Sequence, residues 1–309
     1  MIKNNKEIVN NNFMPDFSIL INEFPELKKY MIKNDDTEAF SFDWSDNNLS
    51  LLMIKCILKY YFKILYFSIP DNFLIPPVPS RLNYINIINS LLNSFEIKNS
   101  NNNRIIGIDI GTGASLIYPI LGNSIYNWKF IGSEINHKAY ENALKIIKDN
   151  KLEENIKIIK QKYKNNIFIG IVNKEEKYTF TMSNPPYYDY KDEIKIEDKN
   201  RDCEYNFDEI YYKNGEMGFF EEYFEESICY RKNIFIFTIL IGKKSNAEKI
   251  YEKISENKYI KYFDMKRIKT GNIIRYIIYW SFFNNYKEFI NFILYSNDFY
   301  KFKPIIHAL

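Results

Sequence analysis

The alternation of short apolar runs with helical segments after residue 103 restricts the fold more than any other feature of this chain. The apolar runs have the length and composition of buried strands, and the segments between them have helical periodicity. The predicted strands are 104–110, 130–133, 156–160, 178–182 and 234–241, and the predicted helices are 81–95, 114–121, 137–150 and 219–230. This alternation is typical of an α/β fold with a doubly wound, mostly parallel sheet.

Two later segments, 259–267 and 275–283, alternate between apolar and polar residues more regularly than the apolar runs do. They flank a Thr-Gly-Asn turn at 270–272. They predict an antiparallel pair at the edge of the sheet. Residues 1–80, by contrast, read as helical and irregular, with several prolines as breaks. We therefore expect an N-terminal helical extension at 1–80, a main domain at 81–290 and a C-terminal tail at 291–309.

One long segment, 188–214, interrupts the alternation with a polar stretch that is rich in tyrosine and charge. A loop of this length within a compact domain is usually functional or disordered. Because it directly follows a candidate active site, we predict that it is a mobile lid.

The few cysteines and histidines exclude several kinds of chemistry. Three cysteines (Cys56, Cys203 and Cys229) form no C-x-x-C pair, so a disulfide framework or a cysteine zinc site is not expected. Only two histidines are present, which leaves little for a histidine base or a histidine-held metal. We expect no metal and a reducing compartment, the nucleus or the cytoplasm, and a monomer.

No membrane segment is expected either. The N-terminus has no apolar signal-peptide core. The longest apolar stretch, 51–69, carries Lys55, Lys59 and Lys63 one helical turn apart. A charged stripe of this kind indicates a soluble amphipathic helix. These lysines could contact phosphates, but a solvated helix face is the favoured interpretation.

A glycine turn follows the first predicted strand of the sheet. Gly111 and Gly113 let the backbone approach a ligand closely, and the start of the next helix offers free N–H groups to an anion. A dinucleotide-binding turn would have a third small residue at 116, where this chain has Leu116. A ligand with a carboxylate and no pyrophosphate, such as S-adenosyl-L-methionine, fits better. Glu134, at the end of the next strand, could accept hydrogen bonds from ribose hydroxyls.

The tetrapeptide Asn184-Pro185-Pro186-Tyr187 follows a later strand. Its two prolines lock an extended backbone, which aims the Asn184 side chain and the Pro185 carbonyl at one point. Two acceptors so placed can bind both hydrogens of an –NH2 group on a planar system, and Tyr187 supplies a stacking face. The chemistry is then methyl transfer to a positioned amine, which requires no strong general base.

Each motif alone is also compatible with an ordinary tight turn. Together, in this order and each at the carboxyl end of a strand, they predict a methyltransferase. Ligands of doubly wound sheets bind at that edge.

The chain also resembles a known family, the one that contains methyltransferase-like protein sixteen and its bacterial ribosomal-RNA counterpart. The resemblance extends from about Pro15 to Phe283. It is carried by family-specific segments in the family's order: 74–85 (LIPPVPSRLNYI), 107–115 (GIDIGTGAS), 184–187 (NPPY), 242–245 (GKKS) and 279–282 (YWSF).

The resemblance implies a Rossmann-like class I methyltransferase that acts on the N6 amine of adenosine in structured RNA, of the U6 small nuclear RNA or messenger-RNA hairpin type. It implies that residues 1–80 contact RNA and that Asn184–Tyr187 hold the adenine. The cofactor-binding residues it implies are Arg81, Asp109, Gly111, Gly113, Ser115, Glu134 and Asn165. Lys164 falls on a family loop over the cofactor, and Asn165 replaces the usual threonine beside it.

The RNA-binding surface is less defined by the sequence, since the net charge is only +3. Any such surface must be a local basic patch, for which Lys164, Lys243, Lys244 and Arg275 are candidates. Solubilising lysines are an equally good interpretation of any one of them.

Two alternatives stay open at this stage. One is adenine-N6 methylation of ribosomal RNA, and the other is methylation of the glutamine amide of translation release factors. A side-chain amide is also a planar –NH2, so Asn-Pro-Pro-Tyr suits it equally well.

Overall fold

The computed structural model describes residues 13–33, 40–100, 104–191, 207–271 and 273–292. The greater part of the predicted lid, 192–206, and nearly all of the predicted tail, 293–309, lie outside the described residues.

The N-terminal region packs short elements against one long helix. Its elements are helix α1 (Phe17–Glu23), a 3-10 turn (Pro25–Tyr30), strands β1 (Met31–Lys33) and β2 (Phe40–Phe42), which pair antiparallel, and helix α2 (Asn47–Phe62). Lys55 and Lys59 on α2 and Lys63 at its end are exposed, while the opposite face of the helix is buried in the core. The amphipathic helix is thus confirmed. Among the described residues, no helix is long and apolar enough to cross a membrane.

Helix α3 (Val78–Ser94) joins this region to the main domain. It begins three residues earlier than the sequence pattern predicts, because Pro79 stands in its first turn, where a missing N–H costs nothing. The predicted boundary at residue 81 therefore falls inside a helix.

A seven-stranded sheet forms the centre of the main domain. Its strands are β3 (Ile106–Ile110), β4 (Lys129–Glu134), β5 (Ile156–Lys160), β6 (Tyr178–Ser183), β9 (Ile234–Ile241), β10 (Tyr262–Thr270) and β11 (Ile273–Ser281). They lie in the order β10-β11-β9-β6-β3-β4-β5. Five strands are parallel, and the β10–β11 hairpin adds antiparallel to β9. The predicted doubly wound, mostly parallel sheet with an antiparallel edge is confirmed.

Helices cover both faces of this sheet, which is why β6 and β9 are buried along their whole length. The helices are α4 (Ile117–Tyr126), α5 (His137–Asp149), α6 (Phe207–Ile210), α7 (Gly215–Cys229), α8 (Lys244–Ser255) and α9 (Tyr286–Asn291). Two short strands, β7 (Tyr188–Asp189) and β8 (Tyr211–Tyr212), pair with each other beside the sheet.

The start of α4 differs from the prediction of a helix from residue 114. Residues 113–116 form turns, and Leu116 adopts a left-handed backbone with φ of 51°. A helix cannot propagate through that conformation, so α4 begins at Ile117.

The strand order reverses between β3 and β6. From β3 the chain runs outward through β4 to β5 and then returns to β6 on the other side of β3. The carboxyl ends of β3 and β6 therefore flank the crevice where ligands of such sheets bind.

Candidate active site

Two turns leave the sheet side by side at this crevice. Ile110 is paired with Ser183 across the parallel β3–β6 ladder, so Gly111 and Asn184 follow at the same level. The Ser183 hydroxyl also donates to the carbonyl of Ile110 at 2.9 Å, which ties the two strand ends together. The glycine turn and Asn-Pro-Pro-Tyr are thus neighbours in space, as the sequence predicts.

A cavity of about 1020 Å³, including its open mouth, lies over both turns. Its lining combines apolar side chains with a small number of charged and polar groups. The predicted residues among the lining are Arg81, Gly111, Gly113, Ser115, Glu134, Lys164, Asn184, Pro185 and Pro186.

The glycine turn leaves open space for a ligand. Gly111 and Gly113 have φ of +69° and +67°, a region that a side chain rarely adopts. No atom lies within 4 Å of the position that a Cβ would occupy on Gly111. Ser115 lies in the turn that precedes α4 and not in the helix itself.

Glu134 is held by backbone N–H groups at the end of β4. Its Oε2 accepts from Gly113 at 2.9 Å and its Oε1 from Asn136 at 2.7 Å. Burial raises the pKa of this carboxyl, and the backbone hydrogen bonds oppose the rise. Each carboxylate oxygen keeps a second lone pair, so Glu134 can still accept bonds from ligand hydroxyls.

Asp109 is fully buried beneath the glycine turn and does not line the cavity itself. Its Oδ2 accepts from the Thr112 hydroxyl at 2.7 Å, whereas its Oδ1 is buried with no hydrogen-bond partner. Burial raises the pKa of Asp109 to about 7, and the Thr112 bond opposes this. An orphaned acidic oxygen beneath a cavity is compensated when a positively charged ligand binds above it.

Arg81 reaches the cavity from α3, on the N-terminal side of the domain. Its Nη1 donates to the Tyr118 hydroxyl at 3.3 Å, and its guanidinium lies 5.7 Å from the centroid of the Tyr118 ring. Tyr118 thereby holds the guanidinium in the wall of the cavity, where it can bind a carboxylate.

Glu209, on α6, is a cavity residue that sequence reasoning missed. Its Oε2 accepts from the Leu74 N–H at 3.0 Å, and its Oε1 would lie 3.6 Å from a Cβ on Gly113. Burial raises the pKa of Glu209 to about 7. Nothing in the local sequence distinguishes this carboxylate from the other acids of a charge-rich stretch. Gln161, Asn166 and Tyr212 line the cavity as well and were missed for the same reason.

The loop after β5 brings Lys164 but not Asn165 to the cavity. The Lys164 ammonium lies 5.2 Å from the centroid of the Tyr190 ring and 6.0 Å from that of Tyr212. Asn165 is exposed and lies outside the lining, whereas its neighbour Asn166 lies within it. The cofactor-binding role of Asn165 stays a prediction.

At the Asn-Pro-Pro-Tyr turn, Asn184 and the two prolines line the cavity. The hydroxyl of Tyr187 donates to Oδ1 of Asn184, and the ring itself lies outside the lining. The guanidinium of Arg275, on β11, lies 5.1 Å from the centroid of that ring. Arg275 thus packs at the active site and is half-buried there.

Lys243 and Lys244 lie exposed where β9 passes into α8. The backbone of this junction is held from below by buried Glu216, which accepts from the N–H groups of Gly242 and Lys243. Lys244 also pairs with Glu248 at 3.4 Å on the helix surface. Over the part of the chain that the structure describes, no group of three or more His, Cys, Asp or Glu could hold a metal ion.

These groups fit S-adenosylmethionine. Arg81 can bind its carboxylate, Glu134 can accept from its ribose hydroxyls, and the acidic groups around the glycine turn compensate the charges of its ammonium and sulfonium. The fit rests on the open space at Gly111 and the orphaned oxygen of Asp109.

Comparison with known proteins identifies the family of the chain. A family model described as RNA methyltransferase matches residues 9–284. The ribosomal RNA large subunit methyltransferase F of Flavobacterium johnsoniae is 36% identical and covers 88% of this chain and 92% of its own length. The protein of that name from Christiangramia forsetii is 33% identical over 86% of this chain and 96% of its own.

Solved structures of human METTL16 share the fold. Its catalytic domain in complex with MAT2A 3′UTR hairpin 1 gives a TM-score of 0.75 at 26% identity, over 87% of this chain and 92% of that one. The N-terminal domain of human METTL16 in complex with SAH gives 0.72 at 26% identity, over 87% and 95%. The chain therefore belongs to the RNA methyltransferase family and is an RNA methyltransferase that depends on S-adenosylmethionine.

Proposed function

We propose that this protein methylates the N6 amine of an adenosine in large-subunit ribosomal RNA. The observation that carries the proposal is the position of Asn184 next to Gly111, at the ends of two paired strands and in one cavity. An amine acceptor beside a methyl-donor site is the arrangement that N-methylation requires.

The protein's part in this reaction is to position the amine. Oδ1 of Asn184 and the carbonyl of Pro185 accept its two hydrogens, so the nitrogen lone pair points out of the base plane. S-adenosylmethionine, when bound, supplies the electrophilic methyl group. The two consecutive prolines keep both acceptors in place, because their φ angles are fixed. The aromatic ring of Tyr187 offers a stacking face for the base.

No strong base is needed at any step. The amine would attack the methyl through its lone pair, the S–CH3 bond would break to leave a neutral thioether, and the surplus proton of the methylated amine is acidic enough to pass to water. Among the titratable groups near the site, Asp109 and Glu209 have a pKa of about 7, as burial raises both. Asp109 compensates cofactor charge in this proposal and does not abstract a proton, since it lies buried below the cavity.

The relatives favour ribosomal RNA over the other RNA substrates. The two relatives named for the large ribosomal subunit are 36% and 33% identical to this chain and aligned over 92% and 96% of their own length. Their bacterial origin also favours the cytoplasm over the nucleus. The second candidate substrate is an RNA hairpin, which the structures of human METTL16 with such hairpins support at 26% identity. U6 small nuclear RNA falls in this second group.

One experiment tests the proposal. The purified protein is incubated with radiolabelled S-adenosylmethionine and, in separate reactions, with protein-free large-subunit ribosomal RNA, with the MAT2A hairpin and with a translation release factor. Labelled RNA is then digested to nucleosides and the product identified by mass spectrometry. We expect N6-methyladenosine, with most transfer to ribosomal RNA.

Transfer to the release factor alone would refute the proposal, as would a methylated nucleoside other than N6-methyladenosine. Transfer to the hairpin and not to ribosomal RNA would refute the choice of substrate and keep the amine chemistry.

A further inference from the structure

The amine acceptor of the proposed site already has a partner within the chain. Oδ1 of Asn184 accepts a hydrogen bond from the hydroxyl of Tyr187, three residues further along the same turn. A phenylalanine at this position would have no hydroxyl to make this bond.

A second contact holds the Tyr187 ring in the same position. The guanidinium of Arg275, on the edge hairpin, lies over the ring at 5.1 Å from its centroid. On another side the ring packs so closely on Gly242 that a Cβ there would lie 3.0 Å from it. The ring is thus fixed by three elements, the turn after β6, the end of β9 and β11.

In this position the Tyr187 side chain occupies the oxygen that the proposed function assigns to the amine. Its ring lies outside the lining of the cavity, whereas Asn184, Pro185 and Pro186 lie within it. For an adenine amine to reach Oδ1 of Asn184, the hydroxyl must first leave that oxygen. A hydrogen of the amine then bonds to Oδ1 of Asn184 in place of the hydroxyl hydrogen.

We propose that the Tyr187 hydroxyl is an internal competitor for Oδ1 of Asn184, which an adenine amine must displace, and that Arg275 is the positioning residue that holds the Tyr187 ring. This proposal rests on the proposed function of Asn184. A hydrogen bond between neutral groups contributes about 0.5–1.5 kcal/mol, so the hydroxyl lowers the affinity for the amine by about 2- to 10-fold.

If the hydroxyl competes with the amine for Oδ1 of Asn184, removing the hydroxyl should affect only ligands that carry the amine. Tyr187→Phe removes the hydroxyl and keeps the ring. It should strengthen binding only of a ligand that has the N6 amine, because a base without that amine has no hydrogen to place on Asn184. A merely structural role of the hydroxyl would change the binding of both ligands alike.

The test is a cycle of two proteins and two ligands. Adenosine and purine riboside, which lacks the N6 amine, are titrated into the full-length protein saturated with S-adenosylhomocysteine, and binding is followed by ligand-observed NMR. We expect Tyr187→Phe to bind adenosine about 2- to 10-fold more tightly than the unaltered protein and purine riboside equally. Tyr66→Phe is the matched control, since Tyr66 is exposed and remote from the cavity; it should change neither.

Equal effects on the two ligands, no effect on adenosine, or weaker adenosine binding would each overturn the competition. Asn184→Ala separates this failure from failure of the proposed function. If that variant keeps full transfer to RNA, the amine contact itself is wrong. If it loses transfer while Tyr187→Phe leaves adenosine binding unchanged, only the competitor role of the hydroxyl is refuted.

A last readout concerns Arg275. With ribosomal RNA as substrate, Tyr187→Phe should lower KM, whereas Arg275→Gln should lower kcat, because the ring is then poorly held during transfer. Rescue by Arg275→Lys should be partial, since an ammonium retains the cation–π contact but not the planar stacking of a guanidinium. An unchanged kcat in Arg275→Gln would overturn the positioning role.

Discussion

The site has two halves, which follow two neighbouring strands. Only one of them can bind its ligand without a rearrangement. The cofactor half is built and open: Glu134 is oriented by two backbone N–H groups, and Gly111 has free space above it. The amine half is also formed, but its acceptor is already in use, because Oδ1 of Asn184 accepts a hydrogen bond from the Tyr187 hydroxyl. One half can bind without rearrangement, and the other must first break a contact.

This difference follows from the kinds of groups involved. The cofactor half uses backbone N–H groups and a carboxylate with spare lone pairs, which can serve the fold and a ligand at once. The amine half depends on a single side-chain oxygen within reach of a neighbouring hydroxyl. The cofactor half is preformed, whereas the amine half must first release the Tyr187 hydroxyl. We therefore predict that S-adenosylmethionine binds in the absence of RNA.

The largest expected effect is that of Asn184→Ala, which should impair the amine half and leave the cofactor half intact. Because misplacing a reacting group costs about 100-fold in rate, we expect methyl transfer to fall at least that far. Cofactor affinity, measured by isothermal titration, should stay within about twofold, since Asn184 belongs to the amine half. A loss of cofactor binding of the same size would break the comparison.

Glu134→Gln tests the cofactor half in the same way. The amide presents an –NH2 group to one of the backbone N–H donors, and hydrogen bonds to a charged group contribute about 1.5–3 kcal/mol. We expect the Kd for S-adenosylmethionine to rise at least about tenfold. Glu141→Gln, on the exposed face of α5, is the control and should bind normally. Unchanged affinity in Glu134→Gln would mean that another group binds the ribose.

Glu209 should make the stability of the ligand-free protein depend on pH. Its pKa is raised from 4.5 to about 7 in the folded chain, so the unfolded chain releases the proton first as pH rises. The contribution of Glu209 to stability therefore falls between about pH 4.5 and pH 7 and stays low above. Glu209→Gln should remove this fall, on the order of 3 kcal/mol in the free energy of unfolding.

Urea unfolding of both proteins at pH 5 and pH 8 measures the effect, and the variant should show the smaller decrease between the two pH values. Asp109, with a pKa of about 7, titrates in the same window, so a residual decrease should remain in the variant. Identical pH dependence of the two proteins would contradict the assignment of the raised pKa to Glu209.

The smallest effect is expected for the exposed lysines at the start of α8. Lys243→Ala with Lys244→Ala should weaken RNA binding only a few-fold and reduce the salt dependence of the affinity by about one or two phosphate contacts. Filter binding at several salt concentrations measures both quantities. Transfer at saturating RNA should not change, and a large loss there would place these lysines in the site itself.

Much of the fold followed from local patterns. The apolar runs predicted each parallel strand of the sheet, because a strand buried on both faces must be apolar along its length. The start of α4 did not follow, since the left-handed backbone of Leu116 is a non-glycine exception that no residue preference indicates. Helix α8 was not predicted at all, although its residues are strong helix formers.

By itself, the sequence determined the two turns and their order, because glycines and prolines restrict the backbone within a few residues of themselves. It also determined that both turns meet at one edge, since parallel strands place their carboxyl ends together. Only the tertiary structure decided which distant side chains join them. Arg81, Glu209 and Arg275 arrive from three separate segments, and their meeting depends on how helices and the edge hairpin pack on the sheet.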